Sequence, residues 1–332
     1  MKVLTLVLTL LVLFTITATA QSWDPETQLK LKAVGAPRVS PDGKRMVYTV
    51  NEAVMTADKS EFVTQIWLAN IATKQNTQLT FGDKSSTNPK WSPDGNWIAF
   101  TSNRKDNRNQ LYVLSLNGGE AEPLTDGKSG VGNFVWSPDG RSIAFESLTD
   151  KGDWHIWTIP ANGGVPRQLT FQPGHNIVPS WSRDGRWIYF SANNAGRDIW
   201  RVAATGGEPH RVTEGGSGSM ACESIDGNTI LYKKDETNGP LFAVPIKGGR
   251  SQQVVPCVRG GRGFAAGPQG IYYVACEAEA NPSIRVRDWR TGSERAVAAP
   301  PDSEPSDRDF AISGDGRTIL YSKMVVPSLK AQ

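Results

Sequence analysis

The chain has 332 residues, a formal net charge of +3 and 21% charged side chains, with acids and bases interspersed rather than blocked. That balance provides no basic face for nucleic acid and no electrostatic reason to settle on an acidic membrane. Three cysteines are too few for a disulfide scaffold, and beyond the first twenty residues no stretch is apolar enough to span a bilayer.

In chain order, residues 1–20 have the form of a secretory signal. Lys2 gives a positive start, residues 3–14 an apolar core, and Ala18-Thr19-Ala20 a small-residue cleavage site before Gln21. The apolar run is short for a membrane span and no stop-transfer charges follow it, so cleavage after Ala20 and a periplasmic or secreted mature chain are expected. Next, Leu29-Lys30-Leu31-Lys32-Ala33 alternates apolar and charged residues as a half-buried strand does, while Asp24-Pro25-Glu26 has the features of a helix start.

From there the chain repeats itself. NPKWSPDGNWIAF (residues 88–100) returns as FVWSPDGRSIAF (134–145) and PSWSRDGRWIYF (179–190), and turn glycines fall at Gly43, Gly95, Gly140, Gly185, Gly227, Gly270 and Gly316, between 42 and 52 residues apart. In each unit a short strand enters the turn and an apolar strand such as Ile98-Ala99-Phe100 leaves it. A third strand is marked by pairs such as Ile66-Trp67 and Leu111-Tyr112. Where the repeat is strong, a Gly-Gly turn and a fourth strand ending on Leu-Thr follow. Pro presets φ at the first turn position, Asp accepts local backbone hydrogen bonds and Gly takes the left-handed conformation, so Asp42, Asp94, Asp139, Asp184, Asp226 and Asp315 are read as turn residues rather than general bases. The sixth unit, Pro268-Gln269-Gly270, is read as keeping the bend without the acid.

Seven units of four antiparallel strands predict an all-β chain, a single seven-bladed β-propeller over residues 21–332, with six blades as the alternative. Trp91, Trp136 and Trp181 recur at one place per unit and are expected between blades. The last unit is short of a second half, so the strand at residues 29–33 is expected to complete it and close the ring. Cys257 and Cys276 are suited to a disulfide across a hairpin that leaves Cys222 free; three small buried thiols is the other reading.

At WSPDG, IAF, Gly-Gly and Leu-Thr the sequence resembles the TolB-type, WD40-like repeats of bacterial β-propellers. The resemblance is strong in units two to four and fades later, where Glu223 and Ala266 stand in the Trp position. The opening residues 25–50 are similar to the start of the propeller in prolyl oligopeptidase-like serine peptidases. TolB itself has six blades and a separate N-terminal domain, so seven units argue against an orthologue.

Three functions compete. A binding module would use the face opposite the Asp-Gly turns, where the loops at residues 51–64, 103–109, 171–178, 214–219 and 256–263 vary; by the TolB resemblance its partner would be an envelope protein or peptide, bound by a monomer without cofactor or metal. Lys90, Asn133, His175, Asn176, Glu223, Arg262 and Asp309, beside the loops entering the innermost strands, are the candidate residues at the channel mouth. A serine peptidase needs a nucleophile elbow; the nearest text, Gly215-Gly216-Ser217-Gly218-Ser219, sits between β-units with no strand-helix alternation around it. A metal-dependent propeller lyase needs converging ligands, and His155, His175 and His210 fall at different stages of their units, so they are expected not to meet. The expectation is therefore an exported, non-catalytic interaction propeller; the detached propeller of a peptidase is the main alternative, and a lyase the lesser.

Overall fold

The recurrent Ser-x-Asp-Gly phrase, with Pro at the second position in three copies, builds one turn five times over. In each copy the Ser hydroxyl donates to Asp Oδ1, at 2.5 Å for Ser92–Asp94, 2.6 Å for Ser137–Asp139 and 2.7 Å for Ser182–Asp184. The same carboxylate oxygen accepts the N–H two residues on, and Ser Oγ accepts the N–H five residues on, as from Trp97 at 2.9 Å. Gly43, Gly95, Gly140, Gly185, Gly227 and Gly316 have φ between 70° and 72°, a conformation in which a Cβ is strained. The acids are thereby consumed as backbone acceptors. Hydrogen bonds from Ser40, Ser92, Ser137, Ser182 and Ser224 hold the carboxyls of Asp42, Asp94, Asp139, Asp184 and Asp226 below the ordinary range, Asp184 at about 2.

A computed structural model describes residues 32–323, apart from 57, 59, 194–195, 216–217, 235–236, 261–262, 277–282, 299–304 and 314–315. Asp315, Arg262 and the cleavage signal thus lie outside the described residues, as does the side chain of Asp309. The described residues contain no helix. Six units form four-stranded antiparallel sheets in sequence order, and the seventh, Pro305–Ile312 with Ile319–Lys323, is two-stranded. These are the blades of a propeller. Innermost strands are Ala33–Val39, Ser86–Trp91, Val131–Trp136, Asn176–Trp181, Ser219–Glu223, Phe264–Ala266 and Pro305–Ile312.

Successive blades bury alternate strand faces against each other. Ile98 and Phe100 of the second blade pack with Val47 and Ile66 of the first, while Ala99 between them joins Phe134 and Phe145 of the third. The tryptophans fix the register between blades. Trp91, Trp136 and Trp181 each donate Nε1–H to a carbonyl on the preceding innermost strand, at Arg38 (2.9 Å), Lys90 (3.2 Å) and Val135 (3.2 Å). Around the rim, Gly95, Gly140 and Gly185 sit against Pro41, Pro93 and Pro138 of the preceding turn. Within blades, the Leu-Thr hydroxyls of Thr80, Thr125, Thr170 and Thr213 each accept the N–H of the third strand at 2.9 Å. The same hydroxyls bond to the side chains of Gln65, Gln110, His155 and Asp198, all buried.

Two expectations are corrected. Ala33 pairs with Asn51 in the first blade, so it does not help complete the seventh; residues 29–31 lie outside the described residues. Among the described residues the ring closes by packing: the seventh sheet lies against strand Ala33–Val39, and Thr318 stands beside Gly43. Gly270 is not a turn glycine of the usual kind. It begins strand Gly270–Val274, and Gly267 and Gly270 exchange backbone hydrogen bonds around Pro268-Gln269. Its hydrogen side chain is needed because a Cβ would come within 2.0 Å of the Arg287 carbonyl.

The turn carboxylates set an acid limit. A carboxyl whose folded value is depressed stabilises the native state above its unfolded value, and that contribution disappears as pH falls through the folded value. Denaturation measured against pH should therefore show stability falling from just below pH 4 toward pH 2, with Asp184→Asn losing less of it over that interval than the parent chain.

Candidate functional site

The five candidate residues whose side chains are described do not form one cluster. Lys90 and Glu223 lie at the turn end of their innermost strands, away from the loops, and are spent on contacts between blades. Lys90 Nζ donates to the Phe134 carbonyl and sits 4.8 Å from the centre of the Phe134 ring. Glu223 takes the Trp position of the fifth blade and inverts its chemistry. Where Trp donates to the preceding blade, the Glu223 carboxylate accepts, from the backbone N–H of Arg183 and from Tyr189 Oη at 3.3 Å. Burial pushes its carboxyl upward.

The swap works because of a second departure one unit earlier. Arg183 replaces the turn proline, and proline has no N–H to donate. Arg183 also reaches Ser224 O through Nε at 2.8 Å. The two exceptions to the repeat are thus one interaction read from both ends.

Asn133 belongs to a different arrangement, centred on Glu146, a residue that the repeat pattern did not single out. Glu146 is 6% exposed. Its Oε1 accepts the backbone N–H and Nδ2–H of Asn133 at 2.9 and 2.8 Å, and its Oε2 accepts Val178 N–H of the next blade at 2.6 Å. Gly132 must be glycine, since a Cβ there would come 2.4 Å from Glu146 Oε1. Val178 has φ of 57°, a strained conformation for a β-branched residue. Ala36, Asn88 and Met220, at the same place in their strands, share it, each where the pairing with the second strand slips. The signal for Glu146 was present: its position holds Thr49, Thr101 and Ser191 in other blades, and a charge replaces the hydroxyl in Glu146 and in Lys233. Lys233 is fully buried, with Nζ donating to the carbonyls of Val258 (3.0 Å), Thr237 and Gly260. The same region carries the Cys257–Cys276 disulfide; Cys222 is unpaired.

His175 and Asn176 lie at the loop end, and here the expectation about the histidines is corrected. His175 Nδ1 accepts Trp154 N–H at 3.2 Å, and Asn176 Nδ2 faces His155 Nδ1 at 3.3 Å, so two of the three histidines meet around Asn176. His210 stands apart, edge-on to Trp187. Burial lowers the His155 imidazole from its ordinary value, with Asp153 opposing and His175 reinforcing that shift.

The loop face also carries apolar side chains. In the first blade, strands Arg45–Met55 and Ser60–Asn70 have 11 residues each, where their counterparts in the second have 6, so this hairpin rises beyond the ring. Ala53 pairs with Phe62, which places Phe62 diagonally beside Met55 on the side facing the second blade. Met55 and Phe62 are 61% and 59% exposed, and Phe81 and Phe171, in the connections to the second and fourth blades, 69% and 72%.

Two expected outcomes test these contacts. Arg183→Pro strands a buried carboxylate and should cost about 2 kcal/mol in chemical denaturation; adding Glu223→Trp restores the pairing used by the second to fourth blades, so the double variant should be more stable than the sum of the singles by about 1 kcal/mol. Val178→Asn, which copies Asn88, should relieve strain and stabilise by about 1 kcal/mol, read as a rise in midpoint at unchanged slope.

Comparisons with known proteins agree with this geometry. The model of the TolB beta propeller domain, PD40, matches residues 24–145 and 128–257. The uncharacterized peptidase YuxL of Bacillus subtilis is 36% identical over 73 residues, 22% of this chain but only 11% of that protein's length. Among solved structures, acylaminoacyl peptidase of Pyrococcus horikoshii superposes with TM-score 0.67 at 18% identity, covering 91% of this chain and 50% of that one. Oligogalacturonate lyase of Vibrio parahaemolyticus gives 0.66 at 14%, covering 87% of each. At these identities the two structures share the fold alone, whereas the repeat model extends over most of the chain, which therefore belongs to the TolB β-propeller family.

Proposed function

We propose that this propeller is a non-catalytic docking module of the bacterial envelope, exported after cleavage at Ala20, which holds a protein or peptide against its loop face. The observation that carries the reading is the exposed apolar set there: Met55 and Phe62 on a hairpin that stands clear of the ring, with Phe81 and Phe171 in connections on the same face. Large apolar side chains held in water on a rigid scaffold mark an interaction surface. The repeated acids and tryptophans, by contrast, are engaged in turns and blade contacts, which leaves the loops to supply recognition. His175, half-buried, borders this surface; Asn176, fully buried beneath it, Lys90 and Glu223 do not belong to it.

A second reading has one observation in its favour. The curated relative matched in part is named a peptidase, and half of the acylaminoacyl peptidase chain is the part that superposes. On that reading the loop or turn face would pack on a hydrolase, and the chain would screen substrates rather than cleave them.

Capture of partners from envelope extract by the mature chain decides between them. The docking reading expects a partner that is retained by the parent chain and lost, by tenfold or more in affinity, with the paired substitution Met55→Asp and Phe62→Asp. Turnover of peptide or pectin-like substrates, abolished by one substitution at the channel mouth, would overturn the non-catalytic assignment.

A further inference from the structure

The polar cluster at the loop end of the third and fourth blades has two hydrogen-bonding arrangements, and only one leaves a lone pair on His155 Nδ1, as the Nε2–H imidazole has. In the first, second and fourth blades the Leu-Thr hydroxyl accepts a backbone N–H and donates its own proton, to Gln65 Oε1 (2.7 Å), Gln110 Oε1 (2.7 Å) or Asp198 Oδ1 (3.1 Å). Thr170 accepts Ile156 N–H at 2.9 Å in the same way, and its hydroxyl, 3.2 Å from His155 Nδ1, is placed to donate there as its counterparts do. Asn176 Nδ2 also faces that nitrogen, at 3.3 Å, while donating to Gly174 O at 3.0 Å. Two donors converge on His155 Nδ1. It must therefore carry the lone pair.

Placing a proton on Nδ1 sets an N–H against an NH2 group. Thr170 can adapt by turning its hydroxyl, because it has a second lone pair. Asn176 cannot adapt without rotating its amide. Its Oδ1 is buried and has no hydrogen-bond partner among the described residues, so rotation would give that oxygen a donor at last, in His155 Nδ1–H. The same rotation takes Nδ2 away from Gly174 O and sets an oxygen there instead. Gly174 then loses a contact that holds the 172–176 loop down. To the third blade the loop is also tied by Trp154 N–H to His175 Nδ1, while His175 N–H to Asn193 Oδ1 at 2.7 Å, Asn193 N–H to His175 O at 3.1 Å and the pairing of Asn176 and Ile177 hold it to its own blade.

We propose that protonation of His155 is an acid latch: it turns the Asn176 amide and frees residues 172–177, beside the exposed Phe171, from the third blade. The charged and titratable groups facing His155 are Asp153, which favours the proton, and His175, which opposes it. Burial of His155 works in the same sense as the hydrogen-bond pattern. A base whose folded value is lowered leaves the neutral arrangement intact above the unfolded value near 6.5, and order is lost as pH falls below it. The latch rests on the geometry of the cluster and would hold whether or not the loop face docks a partner.

The repeat itself supplies the test. Gln occupies the His155 position in the first and second blades, as Gln65 and Gln110, so His155→Gln keeps an acceptor for Thr170 and removes the titration. Amide hydrogen exchange of the mature chain, corrected for intrinsic rates, should show residues 172–177 opening at least tenfold more at pH 5 than at pH 7.5. That difference should vanish in His155→Gln and persist in His175→Gln. Should His155→Gln fail to fold, the pH dependence of the His155 Cε1–H resonance in the parent chain must track the opening. Equal protection at both pH values, opening that survives His155→Gln, opening that depends on His175 instead, or a resonance that titrates out of step with the loop would each overturn the latch.

Discussion

The ring depends on how each innermost strand is held to the one before it. A blade of four strands has two apolar faces and cannot bury both alone, so stability comes only when neighbours cover them. Apolar contact is not directional, and without further specification blades could slide along one another. The indole N–H of Trp91, Trp136 and Trp181 removes that freedom by demanding a particular carbonyl on the preceding strand. The turn prolines and glycines, stacked around one rim, enforce the same stagger from the outside.

In the fifth blade that interaction is replaced by one of reversed polarity. Between the fourth and fifth blades the donor is the backbone of Arg183 and the acceptor the side chain of Glu223. Between the third and fourth, Glu146 takes N–H groups from both innermost strands and sustains a strained Val178. The buried carboxylates of Glu146 and Glu223 thus join neighbouring blades, and each is met by backbone donors that would otherwise be orphaned. The rigid part of the molecule is the turn-side rim and the blade contacts; adaptable chemistry is confined to the opposite face.

Much of this was legible before any coordinates. The period of the turn glycines, the alternation of apolar strands and the local chemistry of Ser-Pro-Asp-Gly are contacts within a few residues, so the pattern alone reveals them. Glu146 was legible only as a charge at a position that elsewhere holds a hydroxyl; its partners, Asn133 and Val178 on two different strands, were not, because nothing near Glu146 in the chain announces them. The meeting of His155 with His175 was missed for the same reason: they occupy different strand positions in successive units, and a connection between blades folds one back onto the other. Gly270 misled because a glycine after Pro-Gln looks like its counterparts, although it is required by the approach of Arg287 from the neighbouring strand.

The sequence by itself determined the repeating sheet, the roles of the turn acids and the place of the tryptophans, since these follow from backbone conformations and burial that short segments dictate. The tertiary structure alone decided which polar residues are free for recognition. Lys90, Asn133 and Glu223 resemble surface residues in the chain and are committed elsewhere in the fold: Lys90 reaches Phe134 of the next blade, 44 residues on, Glu223 meets Arg183 of the preceding blade, 40 residues back, and Asn133 meets Glu146 on the neighbouring strand, and none of these partners leaves a trace in the local pattern.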